Sequence, residues 1–221
     1  MAELSAAEHM GKFIAFEGGE GAGKSTQARL LVDALEKHGI TADLTREPGG
    51  TAGAEAIRAL LLDPPHDDAG TGWGAPAEAL LFAAARADHV EKRIKPALER
   101  GDWVITDRFV DSSRAYQGGA GALGDATITA LHEIGSGGMR PDLTILIEAD
   151  PAKVAKRLAE RDGNDSDAIG GRDAAYHADV AASFRVLAEA DPDGFAIIDG
   201  SGTIEAVHAA IMQAISQRLG L

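Results

Sequence analysis

Five short apolar runs recur along the chain, each separated from the next by a longer stretch with helical spacing. Residues 13–16, 42–45, 103–106, 143–147 and 195–198 read as strands. Trp103-Val104-Ile105 and Leu143-Thr144-Ile145-Leu146-Ile147 are almost continuously apolar, as in strands buried on both faces of a parallel sheet. Residues 26–37, 54–62, 77–100, 125–134, 151–160 and 174–190 have helical character. This alternation predicts right-handed βαβ units in a doubly wound α/β sheet. Ligands of such sheets sit beyond the carboxyl ends of the strands. Polar residues gather there: Glu17, Arg46-Glu47, Asp107-Arg108 and Glu148 to Asp150 follow the first four runs.

Two stretches read as mobile. Residues 63–76 are rich in Pro, Gly and Asp, and residues 162–171 are polar with glycines near their ends, as a hinged lid requires. With no internal repeat and no sign of a second domain, an N-terminal tail over 1–11 and one domain over 12–221 are expected. At 221 residues the chain is long enough to bury a sheet.

Composition removes several functional classes. A formal net charge of −14, from 35 acidic and 21 basic residues, argues against nucleic acid as a partner, whose binders present a basic face. The absence of cysteine removes disulfides, zinc–thiolate sites and a thiol nucleophile. Residues 1–12 lack the apolar core of a signal peptide. No apolar stretch is long enough to span a membrane, so a cytoplasmic protein with no membrane partner is expected.

The chemistry centres on Gly18-Gly19-Glu20-Gly21-Ala22-Gly23-Lys24-Ser25, which fits GxxxxGK[ST] and lies between the first strand and a helix. Glycines let backbone N–H groups turn inward, and the helix presents its positive end to phosphate. In such a loop the lysine, here Lys24, reaches the β- and γ-phosphates and the hydroxyl, here Ser25, ligates Mg²⁺. Thr26 completes the ATP-binding stretch. The chain lacks an NKxD-like element that would mark a GTPase. Asp107-Arg108 at a strand end sets a carboxylate and a planar guanidinium beside the transferred phosphate. Ser113, Tyr116 and Gln117 follow at a spacing that brings polar groups to the same place.

These stretches, with Thr45-Arg46-Glu47-Pro48-Gly49-Gly50-Thr51, Leu81-Phe82-Ala83-Ala84-Ala85-Arg86 and Pro141-Asp142-Leu143-Thr144, resemble bacterial thymidylate kinases from about Lys12 to the C-terminus. The resemblance implies a P-loop nucleoside monophosphate kinase fold: a five-stranded parallel sheet flanked by helices, with a short lid at about 157–173. It implies Mg²⁺-dependent transfer of the γ-phosphoryl group of ATP to dTMP, giving dTDP on the way to dTTP, by a homodimer.

By position, Phe82 would stack on thymine and Arg86 would bond its polar edge. Burial alone reads Phe82 as core, beside Leu80 and Leu81, which are expected inside. Arg86, one helical turn on, fits a pocket wall better. Arg46 and Arg108 would clamp the dTMP phosphate, with Glu47 and Asp107 counted among the dTMP-binding residues. Tyr116 would lie against the sugar, and Ser113 and Gln117 would add hydrogen bonds. Glu20 would face the acceptor nucleotide, and Asp107 would orient the metal shell or Arg108.

Some relatives carry an arginine in the phosphate loop where this chain has Gly21; others supply one from the lid. Arg157, Arg161 and Arg172 are candidates for the second arrangement. The lid segment commonly reads Asp-Arg-hydrophobic-Glu, but here it is Asp167-Ala168-Ile169-Gly170. Arg161 is therefore the expected catalytic arginine, with Arg172 in reserve. The alternatives are a kinase for another deoxynucleoside monophosphate, or an ATP-binding switch with no acceptor. A switch has no use for Phe82, Arg86 and Tyr116 converging opposite the phosphate loop.

Overall fold

The five apolar runs form five parallel strands: β1 (Phe13–Glu17), β2 (Ala42–Arg46), β3 (Trp103–Asp107), β4 (Leu143–Glu148) and β5 (Phe195–Asp199). Their order in the sheet is β2-β3-β1-β4-β5. The computed structural model describes residues 11–65, 72–149 and 171–221. Each strand runs one residue past its apolar run, so Glu17, Arg46, Asp107, Glu148 and Asp199 are held in the sheet's own register. β1 is central: Phe16 lies opposite Asp107 of β3 on one side and Ile145 of β4 on the other. The chain leaves β1 for β2 on one side and later crosses to β4 on the other. That reversal opens a crevice at the carboxyl end of β1.

Side-chain alternation along β1 divides the core. Ile14 and Phe16 face the layer made by α1 (Lys24–Lys37) and the C-terminal helix, meeting Leu31, Leu35, Ile211 and Ile215. Phe13 and Ala15 face the opposite layer, where Ile94, Val104 and Phe109 pack. The remaining α-helices among the described residues are, in chain order, α2 (Ala52–Leu62), α3 (Ala75–His89), α4 (Lys95–Glu99), α5 (Val110–Ser113), α6 (Asp125–Ser136), α7 (Ala174–Ala190) and α8 (Ile204–Leu219). Among the described residues no helix is long and apolar enough to cross a membrane.

The helix expected over 77–100 starts earlier and is not uniform. α3 passes into a π-helical turn, Val90–Ile94, before α4. Pro96 in the first turn of α4 has no N–H to return to the preceding turn, so the ladder widens ahead of it. A second π-helical turn, Arg114–Ala120, follows α5. Sequence spacing left α8 out, yet its signs are ordinary. The Thr203 side chain accepts from Ala206 N, and Val207, Ile211 and Ile215 form one buried stripe. Leu80 overturns the expectation that it is core, being 57% exposed, and Leu81 is only partly buried. The buried face of α3 is instead Glu78, Ala79, Ala85, Arg86 and His89. The helix expected over 151–160 lies outside the described residues, as do the tail up to residue 10 and the lid up to residue 170.

Because α8 covers the face that carries β1's Ile14 and Phe16, Ile211→Ala is expected to destabilise the fold by about 2–5 kcal/mol. Urea unfolding followed by circular dichroism checks this through a lowered midpoint at unchanged slope.

Candidate active site

The turn between β1 and α1 runs Gly18, Gly19, Glu20, Gly21, Ala22, Gly23. Gly18 has φ +133°, and a Cβ there would meet the Ile147 carbonyl oxygen at 2.4 Å. Only glycine lets the loop leave β1 this close to β4. Gly23 caps α1 in the left-handed conformation with no side-chain acceptor, so the first-turn N–H groups are left for an anion. Lys24 opens α1, followed by Ser25 and Thr26. Its buried ammonium donates to the carbonyls of Gly18 (3.1 Å) and Gly19 (2.7 Å). Burial first, and the Arg108 charge next, lower its pKa to about 8.

Across the crevice stands the end of β3. The Ser25 hydroxyl donates to Asp107 Oδ2, joining the two oxygen groups expected to hold a metal. A hydroxyl and a carboxylate suit Mg²⁺, which takes one or two protein oxygens and fills its shell with water and phosphate. Among the described residues no group of three His, Cys, Asp or Glu side chains could hold a metal ion.

Arg108 follows with φ +72°, a conformation that costs a non-glycine residue on the order of 1–3 kcal/mol. Its N–H donates to Phe16 O at 2.9 Å, and its carbonyl accepts from Thr106 Oγ1 at 2.9 Å. The guanidinium reaches Gly18 O (3.3 Å), Ser112 Oγ (3.1 Å) and Tyr116 OH (3.3 Å), and lies 5.0 Å from the centre of the Tyr116 ring. Burial opposes its charge, but Tyr116, Asp107 and Glu17 outweigh it and raise the pKa.

A cavity runs from this guanidinium to α3. Glu20, Phe82, Arg86, Ser113, Tyr116 and Gln117 line it, together with Glu47 and Arg108. The structure thus brings together eight of the expected residues from four separate stretches. Arg86 is held on three sides: Nε donates to Glu47 (2.8 Å), and Nη2 donates to Ser113 Oγ (2.8 Å) and to Phe109 O (3.3 Å). Burial alone would push the Glu47 carboxyl up; Arg86 and His89 hold it below its ordinary range. Tyr116 shows its hydroxyl to the cavity and packs its ring edge-on to Phe184 and Tyr176. Gln117 donates to Glu78 (2.8 Å), while its Oε1 is buried with no partner.

Arg46 is not brought into this cavity. It ends β2 and pairs with Glu55 at 3.1 Å, in a second cavity with Ser25 and Asp107. The Glu55 carboxylate is anchored by Gly50 N at 2.9 Å and so captures Arg46 before it reaches Arg108. Arg157, Arg161 and the Asp167-Ala168-Ile169-Gly170 stretch lie outside the described residues. Arg172, the reserve lid arginine, pairs with Glu78 and Tyr176.

Sequence reasoning set Glu17 at the strand end that faces the ligand but gave it no role, and passed over Thr45, Arg58, Glu78, His89 and Ser112 as site residues. His89 is fully buried, with Nδ1 on Glu47 (3.1 Å) and Nε2 on Thr45 Oγ1 (2.8 Å). A legible signal existed: Glu78, Phe82, Arg86 and His89 recur at four- and three-residue steps, on one face of α3. Three polar residues on the face that turns inward mark a pocket wall.

A profile of the family described as Thymidylate kinase matches residues 16–211. The thymidylate kinase of Rhizorhabdus wittichii is 51% identical over 209 residues, covering 95% of this chain and 99% of that protein. That of Caulobacter vibrioides is 45% identical over 211 residues, covering 96% and 99%. In fold, the crystal structure of thymidylate kinase from Ehrlichia chaffeensis superposes with a TM-score of 0.73 at 30% identity, over 93% of this chain and 99% of that one. The sheet order and the phosphate loop are thus those of a P-loop nucleoside monophosphate kinase, and by sequence along most of its length this chain belongs to the thymidylate kinase family.

Proposed function

We propose how this chain carries out the reaction of its family, transfer of the γ-phosphoryl group of ATP to dTMP to give dTDP and ADP. The observation that carries the reading is the cavity shared by Phe82, Arg86 and Arg108, whose inner end meets the phosphate loop at Gly18. ATP lies along Gly18 to Thr26, its β- and γ-phosphates facing the α1 N-terminus and Lys24. On binding, Lys24 exchanges the carbonyls of Gly18 and Gly19 for phosphate oxygens. Ser25 and Asp107 would hold Mg²⁺, which would supply charge neutralisation there.

The base of dTMP lies on Phe82, with Arg86 and Gln117 at its polar edge and Ser113 completing the wall. Glu47 and His89 keep Arg86 aimed into the cavity. Tyr116 borders the sugar and Glu20 faces it from the phosphate loop. Arg108 sits between donor and acceptor, where two parallel N–H bonds suit phosphate oxygens. Arg46 joins it once released from Glu55. No side chain need act as a general base, because loose phosphoryl transfer depends on positioning and charge neutralisation.

With Gly21 in the loop, the remaining cation comes from the lid at about 157–173, from Arg161. Arg172 is already committed to Glu78 and Tyr176, which supports this choice. Residues 12–221 act as one kinase domain. Family membership also supports a cytoplasmic homodimer, for which Leu60, Leu80 and Ile134, exposed on the neighbouring helices α2, α3 and α6, offer apolar surface.

Three variants test these roles in a coupled assay of ADP release. Phe82→Ala is expected to raise KM for dTMP about tenfold or more, since a stacked ring contributes about 1–3 kcal/mol, and to leave KM for ATP in place. A collapse of thermal stability with an unchanged dTMP KM shows instead that the ring serves the core. Arg108→Lys is expected to lose more than about tenfold in kcat/KM, over ~1.4 kcal/mol, because one ammonium cannot make the two-pronged contact. Arg161→Ala is expected to lower kcat on the order of 10³-fold with little change in KM for dTMP; if Arg172→Ala carries that loss instead, the lid acts through the other arginine.

A further inference from the structure

Glu17 is a fully buried carboxylate beside the crevice that the reaction as described leaves idle. It ends β1, immediately before the phosphate loop, and has no exposed surface. All its hydrogen bonds go to the turn that follows Arg108. Oε1 accepts from Phe109 N at 2.8 Å and from Ser112 N at 3.0 Å, and Oε2 accepts from the Ser112 hydroxyl at 2.6 Å. That hydroxyl in turn accepts from Arg108 Nη1 at 3.1 Å.

The chemistry of the relay runs one way. A serine hydroxyl has a single proton, and here it goes to the carboxylate. The oxygen's lone pairs are therefore free to face a guanidinium that has only donors. The two backbone bonds hold the turn whose entry residue, Arg108, stands in the left-handed region at φ +72°. A buried charge at this place is unfavourable for the fold alone: burial first, and Asp111 next, push the Glu17 carboxyl up to about 7. Retaining an acid there calls for a reason other than packing.

We propose that Glu17 is a positioning residue, fixing through Ser112 the place at which Arg108 presents its guanidinium to the transferred phosphate. The inference rests on the role proposed for Arg108. A glutamine at 17 separates the two halves of the device. Its carbonyl oxygen still accepts from Phe109 N and Ser112 N, so the turn survives. Its amide nitrogen then donates to Ser112 Oγ, and the hydroxyl proton is left pointing at Arg108, which has nothing to accept it. Ser112→Ala removes the relay and leaves the backbone bonds.

Each of Glu17→Gln and Ser112→Ala is expected to lower kcat about tenfold to a hundredfold. The double variant should be within about threefold of the slower single, because both cut one chain of contacts. The charged or titratable groups facing Glu17 are Arg108 on the turn, Asp111 on α5 and Lys24 at the start of α1. Since the ionised form directs the hydroxyl, wild-type kcat should rise with pH through about 7, and that limb should vanish in Glu17→Gln. Stability should move the other way. A folded pKa above the ordinary value means the folded state binds the proton more tightly, so stability falls as pH rises from about 4.5 to 7. Glu17→Gln escapes that loss and should melt at or above the wild-type temperature at pH 8.

A variant that melts lower while keeping wild-type kcat overturns the proposal, since Glu17 would then be a structural anchor. So does a double variant slowed by the product of the two singles. A crystal structure of Glu17→Gln gives a reading independent of turnover: Arg108 should leave Gly18 O and Tyr116. If it keeps both contacts, positioning by Glu17 is overturned whatever Arg108 does. If Arg108 moves while Arg108→Lys turns over normally, positioning stands and the role given to Arg108 falls.

Discussion

The parallel pairing of β1 with β3 on one side and β4 on the other fixes almost everything else at the site. Phe16 opposite Asp107 places the phosphate loop and the Asp107–Arg108 pair one strand apart, close enough for Ser25 to reach Asp107 and for Arg108 to reach Gly18. The pairing with β4 brings Ile147 O so near Gly18 that no side chain fits between them. A slip of one residue in either ladder would turn Glu17 from the interior and carry Arg108 to the wrong face. Pairing at the centre of a sheet is also the least deformable contact available, so the site inherits the rigidity of the core.

Around that frame the chain keeps its cations by surrounding them. A net charge of −14 opposes the approach of two nucleotides. Cations at the crevice meet it locally, among them Lys24, Arg46, Arg86 and Arg108. Buried and half-buried guanidinium groups need partners. Arg86 has Glu47, Ser113 and Phe109 O; Arg108 has Tyr116, Ser112 and Gly18 O. Two of these partners are held in turn, Glu47 by His89 and Ser112 by Glu17. Side chains tied this way lose little further freedom when a ligand arrives, and that lowers the entropic cost of binding.

How much of this was legible follows from sequence distance. The strands could be read because double burial leaves a continuous apolar signature, and the phosphate loop because its whole chemistry fits in eight consecutive residues. The cavity wall on α3 was legible through Phe82 and Arg86, one helical turn apart. Partnerships across the chain were not. Glu47 meets His89 42 residues away, Gln117 meets Glu78 39 away, and Glu17 meets Ser112 95 away. No local pattern encodes those separations, since they follow from the crossovers. Leu80 misled for a related reason. Its type says buried, but the face of α3 that turns inward is chosen by Phe82, Arg86 and His89. The π-helical turn before α4 depends on one proline that a count of apolar spacing passes over.

The two cavities flanking β3 separate two kinds of arginine. Arg86 and Arg108 are fixed before any ligand arrives, and their partners are themselves buried. Arg46, half exposed, is tied among the described residues only to Glu55, whose carboxylate has its own anchor at Gly50 N. Exposed ion pairs of this kind contribute little, about 0–1 kcal/mol, so an incoming phosphate dianion competes with Glu55 on favourable terms. Preorganisation is thus greatest where the base and the transferring group are proposed to sit, and least where only charge has to be met. A guanidinium that exchanges one carboxylate for one phosphate keeps its charge paired throughout.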